Sequence, residues 1–321
     1  MKLENIGFYT LTDARASTAS ATSQLQRCEL ILTSRCNFKC AYCRSVGGKD
    51  ISLLQARSIV NLWAKDGLKN IRFSGGEPTL YHGLHDLIVL SKSVGVERIA
   101  VSSNGSAPLA LYLELYKAGV NDFSISLDAD NAEESALMSG CKGAFTTIIE
   151  NIKVLSALTY VTVGVVLTAD NINKTEKIVY FADTLGVSDI RIMPAAQHGT
   201  KLPKLDLPLE ILNKYPILRY RCNNLSRGHS VRGFDIADTS RCPLVLDDMA
   251  VMGDEHYPCI IYMREDGKPI GKVGPCMRAE REKWSLSHNC HQDPICAGNC
   301  LDVCRDYNNT WMRLNNKERV V

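Results

Sequence analysis

The stretch CNFKCAYC, residues 36–43, places three cysteines at the spacing C-x3-C-x2-C. The thiols of Cys36, Cys40 and Cys43 would therefore lie on one tight loop. A cubane iron–sulfur cluster normally takes four cysteine ligands. A loop of three predicts a [4Fe-4S] cluster in which one iron stays open to a ligand that is not protein.

Two other interpretations of this loop are a zinc site and chance in a chain with 13 cysteines. A zinc site usually pairs two close cysteines with a second pair of Cys or His further along the chain. The loop instead follows an apolar run at residues 28–32. It therefore lies at the carboxyl end of a predicted first strand, where β/α barrels place their active sites. This position favours the cluster.

The composition excludes several classes of protein. The chain has 321 residues, 45% hydrophobic and 22% charged, with a formal net charge of +2. This size predicts a substantial core, and the balanced charge gives no overall electrostatic reason to expect nucleic acid or a membrane. No apolar run approaches the ~20 residues that span a bilayer, and the N-terminus lacks the order of a secretory signal. We expect a cytoplasmic protein, whose cysteines stay reduced and bind metal.

Strand-like and helical segments alternate along the first two thirds of the chain. The predicted strands are residues 29–32, 70–73, 98–102, 122–127, 161–167 and 190–193, and the predicted helices are 53–65, 84–94, 109–118, 145–155 and 175–185. Alternation of this kind gives an α/β fold with a parallel sheet. Six units are too few for a closed barrel of eight.

The pattern divides the chain into four parts. Residues 1–26 form an N-terminal extension with little regular structure, 27–200 a barrel, 201–241 a linker or docking segment, and 242–321 a Cys-rich module. The linker carries Arg219, Arg221, Arg227, Arg232 and Arg241. The default interpretation of these arginines is a solvated surface, and the alternative is a surface for phosphate or an anionic substrate.

The remaining cysteines fall into two sets. Three are scattered and predicted to be small buried side chains, namely Cys28, Cys141 and Cys222. Seven crowd the last quarter of the chain, namely Cys242, Cys259, Cys276, Cys290, Cys296, Cys300 and Cys304. Their density in a protein with reduced thiols predicts metal binding in the C-terminal module.

Glycine and polar residues follow the predicted strands. SGGEP, residues 74–78, comes directly after the second strand, where glycines let backbone approach a ligand and a carboxylate can accept from an ammonium group. Ser103 and Asn104 follow the third strand, and Ser126 lies at the end of the fourth. We therefore expect these polar groups to face the mouth of the barrel. The alternative for Asn104 is an ordinary turn without a ligand. Arg191, on the sixth strand, has a fork of donors for a carboxylate, or forms a rim salt bridge.

Together, the cysteine loop and SGGEP resemble the radical S-adenosylmethionine (SAM) superfamily. The resemblance implies a partial (β/α)6 TIM-like barrel, with SAM on the open iron and a 5′-deoxyadenosyl radical that abstracts hydrogen from an organic substrate. Tyr42 stands where the family prefers an aromatic residue. The SAM-binding residues that the resemblance implies are Gly75, Gly76, Glu77, Pro78, Ser103, Asn104, Ser126 and Arg191. It assigns no catalytic side chain.

The C-terminal module resembles the auxiliary-cluster extension called SPASM, or its shorter twitch form. The run C-x5-C-x3-C at residues 290–300 matches most of its core, but Ser287 stands where a first cysteine is expected and Cys304 is an additional cysteine. The resemblance implies one or two auxiliary iron–sulfur clusters. One arrangement assigns Cys242, Cys259, Cys276 and Cys300 to one cluster. Cys290, Cys296 and Cys304 then hold a second, with an open position or a non-cysteine ligand, for which His288 and His291 are candidates. The other arrangement has one cluster, with the remaining thiols structural or bound to zinc.

The resemblance leaves the substrate open. Proteins with this extension most often modify peptides or proteins, which is our first expectation. The alternative is a nucleoside, a nucleic-acid base or another small metabolite. A rival of another class is an iron–sulfur electron carrier or scaffold, which would not need the SAM-binding turn. A reductant such as flavodoxin or ferredoxin is the implied partner, and the sequence does not indicate an oligomeric state.

Overall fold

The computed structural model describes residues 13–44, 47–196, 202 and 204–315. Six strands alternate with helices after a short N-terminal helix. The strands are β1 (Arg27–Thr33), β2 (Asn70–Gly75), β3 (Arg98–Ser103), β4 (Asp122–Ser126), β5 (Tyr160–Leu167) and β6 (Asp189–Pro194). The helices are α1 (Asp13–Thr18), α2 (Leu53–Lys65), α3 (Leu84–Ser93), α4 (Leu109–Ala118), α5 (Ala132–Ser139), α6 (Phe145–Leu158) and α7 (Thr175–Thr184).

The C-terminal part of the chain is mainly helical with three short strands. Its helices are α8 (Leu209–Lys214), α9 (Pro216–Ser226), α10 (Ile260–Arg264), α11 (Met277–Ser287), α12 (Pro294–Asn299) and α13 (Asp302–Asn315). Its strands are β7 (Asp248–Met252), β8 (Glu255–Tyr257) and β9 (Gly271–Lys272).

All nine strands belong to one sheet, in the order β6-β5-β4-β3-β2-β1-β7-β8-β9. Strands β1 to β6 are parallel neighbours, which confirms the predicted partial (β/α)6 barrel. Strand β7 adds to the free side of β1, also in parallel, and β8 and β9 continue antiparallel. The Cys-rich module is therefore hydrogen-bonded to the same strand that leads into the cysteine loop.

The predicted helices and strands of the barrel agree with the observed ones, because each of these elements buries an apolar face that its sequence pattern reveals. Helix α2 begins and ends as predicted, capped by Ser52, whose side chain accepts from the amide of Gln55. It buries Ile59, Val60 and Trp63 against the sheet. The sequence analysis did not predict helix α5, because this helix lacks a continuous apolar stripe. Leu137, one of its few large apolar residues, is exposed to solvent.

The segment 201–241, expected to be a linker or docking segment, contains regular structure and one buried arginine. The segment 201–241 contains α8 and α9, and Asp189 at the start of β6 accepts from the amide of Ile217 in the first turn of α9. Arg221 is buried and forms an ion pair with Asp302, at 3.3 Å, so it is not a solvated surface residue. Its partner lies 81 residues later, which sequence pattern alone does not reveal. The predicted boundary between residues 200 and 201 lies outside the described residues.

The described part of the N-terminal extension packs against the C-terminal module. It contains α1, whose following residues lie against α13: the indole of Trp311 donates to the carbonyl of Ala19 at 2.9 Å. Ala16 and Ala19 are buried in a small apolar cluster with Leu244 and Tyr307. Within the described ranges, no helix combines the length and the apolar character that crossing a bilayer requires.

Candidate functional site: the cysteine loop and the C-terminal cavity

The three-cysteine loop, residues 36–43, leaves the carboxyl end of β1 at the mouth of the partial barrel. The amide of Cys43 donates to the carbonyl of Cys40 at 3.0 Å, and the amide of Phe38 approaches the Cys36 sulfur at 3.4 Å. Cys36 and Cys43 are exposed and Cys40 is half-buried. The loop therefore presents its thiols to the mouth of the barrel.

Three contacts hold this loop against the barrel. The phenol of Tyr42 donates to the Asp128 carboxylate beyond β4, and the amide of Lys39 donates to the carbonyl of Ser139 at 2.8 Å. The side-chain amide of Asn104 donates to the Asn37 side chain at 2.7 Å. Every contact comes from the carboxyl end of another strand or from the element that follows it, so the sheet fixes the position of the loop.

Glu77 is a buried carboxylate with four hydrogen-bond donors. Its Oε1 accepts from the amide and hydroxyl of Thr79 and from the hydroxyl of Ser103, and its Oε2 accepts from the amide of Asn104 at 2.7 Å. Burial raises the pKa of Glu77, although these donors oppose the shift. The side chain therefore fixes the turn after β2 to the turn after β3, and its contact with SAM stays a prediction.

The two glycines of the same turn are required by the backbone beside them. A Cβ on Gly76 would lie 2.2 Å from the carbonyl oxygen of Arg35, and one on Gly75 would lie 2.3 Å from that of Thr33. Gly75 also has a φ of 141°, which favours glycine. We predicted an approach to a ligand, and the structure shows in addition that the glycines let the cysteine loop's own backbone pack on the turn.

The other predicted SAM-binding residues differ in their accessibility. Ser126 is exposed at the end of β4, whereas Pro78 and Ser103 are buried beneath the turn. The Arg191 side chain lies inside the barrel, where its Nη2 donates to the hydroxyl of Ser124 at 3.3 Å. The structure thus brings Ser126, Asn104 and the glycine turn to one mouth, with Arg191 below them.

Arg264 is a residue of this site that the sequence analysis missed. Its guanidinium donates to the carbonyl of Gly75 at 3.1 Å and to that of Arg44 at 3.0 Å. Arg44, just after the cysteine loop, forms an ion pair with Glu265 at 2.8 Å. The C-terminal module is therefore bound directly to the loop and the glycine turn. No sequence motif marks Arg264; only the docking of β7 on β1 brings it there.

The loop thiols suit a cluster better than a single ion. Tetrahedral zinc with Zn–S bonds of about 2.3 Å holds its sulfurs about 3.8 Å apart. Among the described residues, the loop thiols do not come together as a set within 4.8 Å. Burial raises the pKa of Cys40 to about 11, and nearby Asp128 and the other two thiols add to the shift. Binding of the cationic core of a cluster would favour the ionised Cys40 thiol and so oppose this rise in pKa, because thiolate is the form that ligates metal.

Six of the seven C-terminal cysteines line one apolar cavity. These are Cys242, Cys259, Cys290, Cys296, Cys300 and Cys304, with Phe234, Leu244, Ile261, Tyr262 and Trp284 among the other lining residues. Contact with Cys304, together with burial, raises the pKa of the Cys300 thiol. Cys276 does not line the cavity and is exposed at the start of α11. The structure thus groups six thiols and separates the seventh.

The barrel interior carries a cluster of guanidinium groups. Arg27 forms ion pairs with Glu29, at 3.2 Å, and Asp248, while Arg72 lies 3.5 Å from Asp122. Burial opposes ionisation of Glu29, but Arg27 and Arg72 outweigh it and lower the pKa of this carboxyl.

Arg191 differs from these arginines because no carboxylate lies within 4.0 Å of its guanidinium in the described structure. Its Nε is buried without a hydrogen-bond partner. Burial and the nearby cations Arg72 and Arg27 lower the pKa of Arg191 to about 10, so it remains charged at neutral pH. The interior of the barrel therefore offers a guanidinium that no carboxylate pairs with directly, although Glu29 lies near enough to favour its charged form.

Comparison with curated proteins identifies relatives that match part of this chain. A GTP 3′,8-cyclase of Staphylococcus aureus is 34% identical over 135 residues, covering 38% of this chain and 40% of that protein. Probable GTP 3′,8-cyclases of Methanocella arvoryzae and Sulfurisphaera tokodaii are 30% and 27% identical, covering 38% and 60% of this chain. The chain spans 40% of the Methanocella protein's length and 69% of the Sulfurisphaera protein's.

Solved structures share the fold over more of the chain. Native anSMEcpe with bound AdoMet has a TM-score of 0.58 at 15% identity, covering 91% of this chain and 95% of that chain. Streptococcus suis SuiB has a TM-score of 0.58 at 15% identity, covering 86% and 68%. At this identity the likeness shows the fold alone.

The family profile described as "Radical SAM superfamily" matches residues 30–182, which contain the cysteine loop, the glycine turn and strands β1 to β5. This match, together with the partial barrel and the loop geometry above, identifies a radical SAM domain within the chain.

Proposed function

We propose that this radical SAM enzyme acts on an anionic, phosphate-bearing nucleotide that the arginines of the barrel interior bind. The observation that carries the proposal is Arg191, a half-buried side chain whose guanidinium has no carboxylate partner and whose buried Nε is unsatisfied. A buried cation is costly unless it is paired. A substrate phosphate would supply the missing partner, since a guanidinium fork matches phosphate oxygens in two hydrogen bonds.

The relatives support the same substrate class. The curated proteins that match the barrel are named GTP 3′,8-cyclases, and their substrate carries phosphates. Our first expectation from sequence was a peptide or protein substrate. One of the structural neighbours is titled as SuiB bound to precursor peptide SuiA, but its likeness to this chain, at 14% identity, concerns the fold.

The residues of the mouth have distinct proposed roles. Cys36, Cys40 and Cys43 would hold a [4Fe-4S] cluster, which, with SAM bound, supplies reductive cleavage of SAM to a 5′-deoxyadenosyl radical. Glu77 keeps the turns after β2 and β3 together, so that Asn104 and the glycine turn face SAM. Ser126 is exposed at the end of β4, the strand next to β3. A low-potential donor such as flavodoxin or ferredoxin would supply the electron.

Anaerobic binding measurements test the substrate class. We expect GTP to bind at least tenfold more tightly than guanosine, because phosphate contacts dominate. Arg191→Met should weaken GTP binding at least tenfold and leave guanosine nearly unchanged. Arg219→Met is the matched control, since Arg219 is exposed on α9. Equal affinities for GTP and guanosine would contradict the proposal. A loss of SAM affinity in Arg191→Met, with GTP affinity kept, would instead assign this side chain to the SAM carboxylate.

A further inference from the structure

His288 lies close to Cys290 and Cys296, two of the cysteines that line the six-cysteine cavity. The ligand atoms of His288, Cys290 and Cys296 all lie within 4.8 Å of one another, and Nε2 of His288 is 3.8 Å from the sulfur of Cys296. Among the described residues this is the one group of three His, Cys, Asp or Glu side chains that converges so closely. In the described part of the chain, no three of the four other thiols of the cavity converge in this way, although Cys300 contacts Cys304 and Cys242 contacts Cys290.

The distance between His288 and Cys296 is close to that between two ligands of one tetrahedral ion. With Zn–S bonds of about 2.3 Å and Zn–N bonds of about 2.05 Å, a sulfur and a nitrogen ligand lie about 3.6 Å apart. The distance between His288 and Cys296 is 3.8 Å. The cysteines of a cubane ligate different irons and need not converge on one point. The three groups are therefore arranged for one ion.

The carboxylate of Asp293 lies beside the imidazole, outside the group that converges within 4.8 Å, and is a candidate fourth ligand. Oδ2 of Asp293 is 3.5 Å from Nε2 of His288, and two such ligands of a tetrahedral zinc would lie about 3.4 Å apart. Oδ1 of Asp293 accepts from the amides of Ile295 and Cys296, at 2.8 and 2.9 Å. The same carboxylate thus caps α12 and fixes the cysteine that shares the site.

The surrounding side chains hold the ligands in place. The indole of Trp284 stacks on the His288 ring at 4.0 Å between centroids, with an interplanar angle of 16°. The hydroxyl of Tyr262 donates to Oδ2 of Asp293 at 2.8 Å. Cys290 is buried. Packing and hydrogen bonds around the ligands are the supporting shell that metal sites require.

We propose that His288, Cys290, Cys296 and Asp293 bind one zinc ion, separate from any iron–sulfur cluster. This assignment leaves Cys242, Cys259, Cys300 and Cys304 in the same cavity. Four thiolates are the number that a fully ligated cubane takes. His288 follows Ser287, the position where the resemblance to SPASM fails. The C-terminal module therefore holds a zinc ion and one cluster side by side, and Cys276 ligates neither. The proposal does not depend on the substrate.

Metal analysis of full-length protein, produced with zinc and iron and purified anaerobically, tests the proposal. We expect about one zinc and about eight irons per chain. X-ray absorption at the zinc edge should show two sulfur and two nitrogen or oxygen ligands. His288→Ala should lose the zinc and keep the iron, whereas His291→Ala should keep both. His291 is the matched control, since it is exposed three residues later and contacts the carbonyl of Asp238.

A second variant distinguishes loss of the zinc ligand from misfolding of the module. Cys259→Ser should lose about four irons and keep the zinc, so the two metals are lost independently. Wild-type protein without zinc would overturn the proposal. So would a zinc edge with four sulfur ligands, or a His288→Ala variant that keeps its zinc. Loss of iron instead of zinc on replacing Cys296 would also overturn it, because that result assigns this thiol to a cluster.

Discussion

The phenol of Tyr42 donates a hydrogen bond to the carboxylate of Asp128, which joins the cysteine loop to the end of β4 across 86 residues of sequence. The other oxygen of Asp128 accepts from the amide of Val166 in β5, at 2.7 Å. One side chain therefore connects the loop to two neighbouring strands. The aromatic residue before the third cysteine positions the loop through its hydroxyl.

We expect Tyr42→Phe to destabilise the loop. The change leaves a largely buried carboxylate without one of its donors, which costs about 1–3 kcal/mol. Anaerobic urea unfolding and the iron content after reconstitution measure the effect. Tyr180→Phe is the control, since Tyr180 is 42% exposed. If both variants have wild-type stability and iron, the hydrogen bond does not fix the loop.

Replacing Cys36, Cys40 and Cys43 together by Ala should abolish formation of 5′-deoxyadenosine from SAM and reductant. The variant should keep about four irons, because the C-terminal cavity has its own thiols. Product analysis and iron determination on the same sample check this. Continued formation of 5′-deoxyadenosine would show that the catalytic cluster lies elsewhere, and no product from wild type would favour an electron carrier.

Gly76→Ala should impair SAM binding at least tenfold and reduce stability by about 1–3 kcal/mol, because overpacking forces backbone to shift. The added methyl would meet the Arg35 carbonyl at 2.2 Å. Gly274→Ala, where the nearest atom to a Cβ is 4.0 Å away, is the control. Calorimetric titration with SAM and thermal unfolding are the measurements. Wild-type SAM affinity in Gly76→Ala would show that the loop tolerates displacement.

Cys276 and Cys300 should behave differently when each is replaced by Ser. Cys300 lines the cavity and contacts Cys304, so Cys300→Ser should lose about four irons and product formation while SAM cleavage continues. Cys276 is exposed outside the cavity, so Cys276→Ser should keep its metal. Mössbauer spectra of both proteins provide the comparison. A Cys276→Ser protein that loses a cluster would restore this cysteine as a ligand.

Asp189 should make stability fall as the pH rises from 5 to 7. Burial raises the pKa of this carboxyl from 3.8 to about 6, although the amides of Ile217 and Ile190 oppose the shift. A folded-state pKa above the unfolded one favours folding at low pH, and this contribution is lost as the pH rises through about 6. The loss between pH 5 and 7 is about 1 kcal/mol. Urea unfolding should show it in wild type and not in Asp189→Asn; identical pH dependence in both would refute the assignment.

The sequence by itself determined the parts of the site that depend on residues close to one another in the chain. The spacing of Cys36, Cys40 and Cys43 fixes three thiols on one loop wherever that loop lies. Apolar periodicity determined the six β/α units, because a residue's burial on a helix or strand follows from the repeat of that element. Parallel strands then bring their carboxyl ends to one edge, so the glycine turn and Asn104 were expected beside the loop.

Tertiary structure alone decided which distant groups pair. Glu77 meets Ser103 and Asn104, so its carboxylate links two turns. Arg221 is neutralised by Asp302, whereas Arg191 is left without a carboxylate. Addition of β7 to β1 brings Arg264 to the glycine turn, and the packing of α11 and α12 separates Cys276 from six other thiols. Hydrogen bonds and ion pairs reach only about 3–4 Å, so their partners depend on how elements pack, which local sequence pattern does not specify.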